Sequence, residues 1–141
     1  MLVCLLLLTS CHKDAVAPDL ATELTGSWTV TNVTLKGGNG YDVSRDPYNA
    51  TGLSISRTNA NTVNATVNYS FLGSRHYADF SQLLVAGSDT VTTGPGRSVN
   101  LRGAAVSGFG MSGPNMATIN IMTITYMLTA TQEITVRAVH N

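Results

Sequence analysis

From Val63 to Phe71 every second residue is apolar: Val63, Ala65, Val67, Tyr69 and Phe71 alternate with Asn64, Thr66, Asn68 and Ser70. A period of two marks a strand with one face in a core and the other in water, and no helix satisfies it. Just upstream, Leu53 and Ile55 alternate with Ser54 and Ser56, and Asn59-Ala60-Asn61 between the runs tolerates the left-handed backbone of a tight turn. The two runs read as an antiparallel hairpin. The alternation returns in residues 97–102, in Met122, Ile124, Tyr126 and Leu128, and in Ile134, Val136 and Ala138. Charged residues make up 11% of the chain against 43% hydrophobic, so Thr, Ser and Asn must form the wet faces. β-branched Thr suits a pleated strand and loses rotamer freedom in a helix.

Seven or eight such segments joined by short polar turns predict an all-β fold. Sequential pairing favours an antiparallel up-and-down barrel, since eight strands can close on themselves and leave no edge exposed. A β-sandwich of similar strand number is the alternative. At 141 residues the chain has room for one ordinary domain, placed at residues 24–141.

Between the regular strands the expectations are more specific. Asp19–Leu24 fits one helical turn, closed by Thr25-Gly26-Ser27. Trp28 and Val30 lie on one parity and Val33 and Leu35 on the other, which predicts a bulge near Thr31-Asn32. Residues 37–40 end that strand, and residues 41–49, rich in Asp, Asn, Pro and Ser, read as the least constrained loop. Tyr77, Phe80 and Leu84 share helical spacing, so residues 77–85 are expected to be a short helix or irregular crossover. Residues 89–93 suggest a short strand before a Gly94-Pro95-Gly96 turn, and the Gly-rich residues 103–115 a second long loop. Residues 116–129 are expected to form the longest strand, with Ile119 and Ile121 demanding a second bulge or burial on both faces.

The N-terminus carries a different signal. Leu2–Leu8 is apolar apart from Cys4, and Leu8-Thr9-Ser10 leads directly into Cys11. Seven apolar residues are far short of the roughly 20 a membrane-crossing helix needs. The segment resembles the bacterial lipobox. That resemblance implies a signal peptide at residues 1–10, a diacylated Cys11 and a lipidated tether at 11–23 containing His12-Lys13-Asp14 and Pro18. No Lys or Arg precedes the apolar run, so the pattern expects an upstream start that supplies them. His12 rather than Asp follows the cysteine, so the inner-membrane retention signal of enterobacterial lipoproteins is missing and an outer-membrane location is expected.

Leu24-Thr25-Gly26-Ser27-Trp28-Thr29-Val30 resembles the opening Gly-x-Trp signature of lipocalins and of lipocalin-like domains in Bacteroidetes lipoproteins. The resemblance implies a Trp that plugs the closed base of a barrel beneath a ligand cavity. Trp28, Val67, Tyr69, Met122 and Tyr126 are then the expected lining for a small apolar ligand.

Other chemistry finds little support. Eight basic and eight acidic side chains cancel without forming runs, which argues against nucleic acid as a partner. Cys4 and Cys11 are the sole cysteines, and His12, His76 and His140 are far apart, so no metal site or cofactor is expected. His76 with Asp79 is the nearest pair, facing one way if the segment is helical. No Gly-x-Ser-x-Gly elbow occurs, and Gly108–Gly113 lacks the Lys-Ser/Thr ending of a phosphate loop. The expectation is a non-enzymatic, lipid-anchored envelope protein with a lipocalin-like barrel. The alternative is a surface-displayed structural or adhesion domain recognising protein or glycan through loops 41–49 and 103–115.

Overall fold

The computed structural model describes residues 19–88, 97–113 and 118–141. A one-turn helix, α1 (Leu20–Leu24), precedes β1 (Gly26–Leu35), β2 (Gly40–Asp42), a 3-10 turn (Val43–Arg45), β3 (Thr51–Asn59), β4 (Thr62–Phe71) and β5 (Ser74–Ser88). Then follow β6 (Ser98–Arg102), β7 (Val106–Met111), β8 (Ile121–Met127) and β9 (Glu133–His140). Every pairing is antiparallel, in the order β1-β3-β4-β5-β6-β7-β8-β9, and β9 returns to pair with β1. The fold is therefore a closed eight-stranded up-and-down barrel, and β2 is an extra strand laid on β1. Because β9 closes on β1, there are no two separate sheets to make a sandwich.

The alternating residues face inward as their pattern requires. Leu53, Ile55, Ala65, Val67, Tyr69, Ile124, Ile134, Val136 and Ala138 are all buried. β1 changes parity at a bulge between Val30 and Asn32, so Trp28, Val30 and Val33 all reach the core. Turn residues Ala60 and Asn61 join β3 to β4, with Asn59 opposite Thr62.

One end of the barrel, here the base, is plugged by α1. Asp19 caps the helix by accepting the Thr22 N–H at 2.8 Å, and it holds Arg57 of β3 in an ion pair at 2.9 Å. Five residues cannot sustain a helix alone, so packing holds it. Ala21 and Leu24 are fully buried, and the Trp28 indole N–H donates to the Leu24 carbonyl at 3.1 Å. Leu20 packs so close to Gly87 that an added Cβ there would overlap its side chain.

Three expectations fail, each for a physical reason. Residues 77–85 are neither helix nor crossover but the middle of β5, at 15 residues the longest strand described. Gln82 takes a left-handed backbone (φ 57°) and its N–H donates to the Asn64 side chain at 2.9 Å, and the register shifts there. This bulge carries the inward set from Phe80 to Leu83, which imitates helical spacing. Residues 103–115 are not one loop, because β7 occupies their centre. Beyond Val106 its inward positions are Gly108 and Gly110, and a Cβ on Gly110 would meet Val99, Met122 and Ile119 at 2.7, 2.8 and 2.9 Å. Neighbours fill the space a side chain would take, so a strand looks like a loop. Finally, among the described residues of the strand expected over 116–129 only β8 is strand; Ile119 is buried just ahead of it, where the Asn120 N–H bonds the Met111 carbonyl. The expectations for residues 1–18, including Cys11, for 89–96 and for 114–117 lie outside the described residues.

Candidate functional site

The end opposite α1, here the mouth, gathers the 3-10 turn, the β4–β5 turn at Leu72-Gly73, the β6–β7 turn and the β8–β9 turn. Residues 41–49 are not the slack loop the composition suggests. Val43 is fully buried and Asp46 is 3% exposed. The Asp46 carboxylate accepts hydrogen bonds from the Tyr48 N–H (3.1 Å), the Gly73 N–H (2.8 Å) and the Tyr41 hydroxyl (3.1 Å). Burial pushes this carboxyl up, but the three donors and the nearby His76 outweigh it and hold the group below its ordinary range. Asp42 accepts from both the N–H and the hydroxyl of Ser44, starting the 3-10 turn.

From this carboxylate an aromatic series runs into the barrel. Tyr41 meets Phe71 edge-on at 5.3 Å, and His76 stacks on Tyr69 at 5.3 Å. The Tyr69 and Tyr126 hydroxyls share a buried hydrogen bond of 2.8 Å, and Phe80 packs edge-on against Tyr126 at 5.0 Å. Burial raises the Tyr69 phenol far above its ordinary value, and its bond to Tyr126 raises it further. Tyr126 is raised by burial and partly drawn back by that bond. The carboxylate is satisfied by the mouth turns, and the two buried phenols by each other. The cluster acts as a lock between the mouth turns and the core.

Of the five residues expected to line a cavity, the structure brings two side chains into direct contact and places the other three elsewhere in the core. Tyr69 and Tyr126 meet directly toward the mouth. Trp28 sits at the base against α1 and His140, the rings 4.6 Å apart. Val67 lies across from Leu53 and Ala78, and Met122 from Ala138 and Gly110. Trp28, Val67, Tyr69 and Met122 expose 1% or less of their surface, so other protein atoms cover them on every side. Cys11 lies outside the described residues.

His76 and Asp79 do not come together. Residues three apart on a strand face opposite ways: His76 turns toward Tyr69, whereas Asp79 accepts from the Thr66 hydroxyl on the outer face at 2.6 Å. Among the described residues no group of three or more His, Cys, Asp or Glu could hold a metal ion.

Outside the barrel, the mouth displays Leu72 at 68% exposure and Tyr48 at 54%, with the Arg75 guanidinium 5.9 Å from the Tyr48 ring. Loop 41–49 lies at this end, and of the described residues of 103–115 only 103–105 reach it, because β7 runs from there to the base.

No family model, no curated protein and no solved structure matches this chain. Its geometry must carry the functional reading unaided. Sequence reasoning missed Asp46 and the tyrosine hydroxyl pair. The signal for the first was Val43, an apolar residue inside an otherwise polar stretch flanked by Asp42 and Asp46.

Proposed function

We propose that the chain is a lipid-anchored, non-enzymatic protein of the bacterial cell envelope, carried on the outer membrane through Cys11, whose barrel recognises protein or glycan at its mouth. The observation that carries this reading is the order of the anchor and the base. Leu8-Thr9-Ser10 precedes Cys11, and Asp19 at the base follows eight residues later. Fully extended, eight residues reach at most about 28 Å. An acyl group on Cys11 therefore holds the base toward the bilayer and presents Tyr48, Leu72 and the turn around Asp46 to the surroundings. Exposed aromatic and apolar side chains on a hydrogen-bonded, rigid turn suit recognition, because little order is lost on binding.

The second reading is a lipocalin-like carrier of a small apolar ligand. It is supported by the closed eight-stranded barrel, a size that can hold one such ligand, and by Gly26-Ser27-Trp28 at the start of β1. It is the weaker reading, because Trp28, Val67, Tyr69 and Met122 are covered by their neighbours and a ligand would have to displace them.

Mass measurement of membrane-extracted protein, wild type beside Cys11→Ala, tests the anchor. The wild type should carry the mass of attached acyl chains and partition with membranes, and the variant should do neither. An unmodified wild-type Cys11 overturns the reading. Titration with a fluorescent apolar probe separates the two readings, since saturable uptake quenching Trp28 would favour the carrier.

A further inference from the structure

Two seams of the barrel are short. Along the first, β1 pairs with β3 only from Gly26 to Thr29, and β2 covers Asn32–Thr34 beyond it. Along the second, β5 pairs with β6 only from Leu84 to Ser88. Toward the mouth, residues 74–83 of β5 are bonded to β4 on one side and have no backbone partner on the other among the described residues. An antiparallel strand aims alternate N–H and C=O groups to either side, so this stretch presents a template for another strand. Pro and Lys, two of the devices that blunt such an edge, do not occur in it, and the bulge at Gln82 lies beyond Ser74–Phe80, the part that is regular. Its outward side chains Arg75, Tyr77 and Asp79 are all exposed, Tyr77 at 67%.

We infer that two copies of this chain pair β5 to β5, antiparallel, about a two-fold axis at Tyr77. The sequence of the edge selects both partner and register. With Tyr77 facing its own counterpart, Arg75 of each copy lies opposite Asp79 of the other, giving two opposite-charge cross-strand pairs on the outer face. On the inner face Ser74 meets Phe80 and His76 meets Ala78, small against large in each pair. Moving the axis one residue toward either end sets Arg75 against Tyr77, or Tyr77 against Asp79. Moving it two residues sets Arg75 against Arg75, or Asp79 against Asp79. Both charges have bonding capacity left: Asp79 accepts from Thr66 and interacts with the Tyr77 hydroxyl, which leaves lone pairs on its two oxygens, and the Arg75 guanidinium, 5.9 Å from the Tyr48 ring centroid, carries five N–H donors. An isologous contact of this kind closes at two copies and covers both edges.

The test uses the full chain with Cys4→Ala and Cys11→Ala, so that neither acyl chains nor native thiols join copies. Sedimentation equilibrium should show a monomer–dimer exchange. Asp79→Arg or Arg75→Asp alone should weaken it by roughly tenfold or more, and the two together should restore it. Tyr77→Cys should form an intermolecular disulfide on mild oxidation, since facing Cα atoms lie about 4.5–5.5 Å apart, whereas Arg75→Cys should not. Circular dichroism checks that each variant remains β-structured, and the cysteine pair reads the register independently of the charges. A monomer at every concentration would assign the edge to a strand of a different protein and overturn the inference. A dimer indifferent to single charge reversal, or one crosslinked equally through position 75, would overturn it as well.

Discussion

The Tyr69–Tyr126 hydrogen bond allows a prediction in which the order of the effects, and not only their size, follows from the structure. Tyr69 is fully buried, Tyr126 is 7% exposed, and their hydroxyls are 2.8 Å apart. Tyr126→Phe strips Tyr69 of its partner in a place water does not reach, and an unsatisfied buried hydroxyl costs about 1–3 kcal/mol. Tyr69→Phe leaves the hydroxyl of Tyr126, the less enclosed of the two residues, so its cost should fall near the lower limit, about 1 kcal/mol. Tyr126→Phe should fall near the upper. Removing both hydroxyls leaves two Phe rings of nearly unchanged shape and no orphaned group, which should cost under about 1 kcal/mol. The double variant is thus predicted to be more stable than Tyr126→Phe alone, with a coupling on the order of 2 kcal/mol. Urea unfolding followed by the fluorescence of Trp28, the single Trp, measures all three. Additive costs, or a Tyr69→Phe variant worse than Tyr126→Phe, would refute the account of a dry, mutually satisfied pair.

The same pair fixes a pH limit. Both phenols are raised above their ordinary 10.0 in the folded chain, so their contribution is complete below pH 10 and is lost as the pH climbs through the folded values. Urea midpoints should decline above pH 10, and the last phenolate absorbance should appear only with unfolding; five tyrosines ionising together in the folded chain would contradict this. At the acid end Asp19 is lowered to about 2, first by its hydrogen bond from Arg57 and then by the Thr22 N–H. Its contribution is present above 3.8 and should vanish as the pH falls through about 2, a loss that Asp19→Asn should abolish in the pH profile of the midpoint. The base depends on α1: Leu24→Ala should cost about 2–5 kcal/mol and Thr22→Ala, exposed, under about 0.5. A Leu24→Ala variant that unfolds like wild type in guanidinium would mean that the barrel closes without its helix.

What could be read from the chain divides along the line between local and long-range causes. β3 as far as Arg57, β4 from Val63 to Tyr69, and β8 and β9 alternate between two faces, and each strand's inward set is written in its own residues. The bulge in β1 was legible for the same reason, because apolar residues stand on both sides of it and record the change of parity. In β5 the record is ambiguous. A switch of parity between Phe80 and Leu83 leaves apolar residues at spacings a helix also allows, and the Asn64 side chain that stabilises the switch comes from another strand. β7 goes further: its core positions are glycines because Val99, Ile119 and Met122 already occupy the interior. The hydrophobic side of that strand is written on its neighbours.

The mouth was hidden by a related cause. Composition reads Asp42, Ser44, Arg45, Asp46 and Pro47 as solvent-loving, and for an isolated segment that is sound. A buried carboxylate is tolerable only where donors converge on it, and here the decisive donor is the Gly73 N–H, 27 residues away in the β4–β5 turn. That N–H comes into reach because Leu72 and Gly73 both take left-handed backbone conformations. Each turn gains from the other: without Gly73 the buried carboxylate would lose the shortest of its three hydrogen bonds, and without Asp46 the second turn would hold Leu72 at positive φ for no return. Each supports the other, so no window of sequence containing only one of them could disclose the site. The exposed Tyr48 and Leu72 inherit their positions from this lock. Breaking it with Asp46→Ala should therefore release both side chains together, seen as accelerated amide exchange across 41–49 and 72–73 while β8 and β9 remain protected. Protection that persists at 72–73 in that variant would show that the β4–β5 turn holds its shape without the carboxylate.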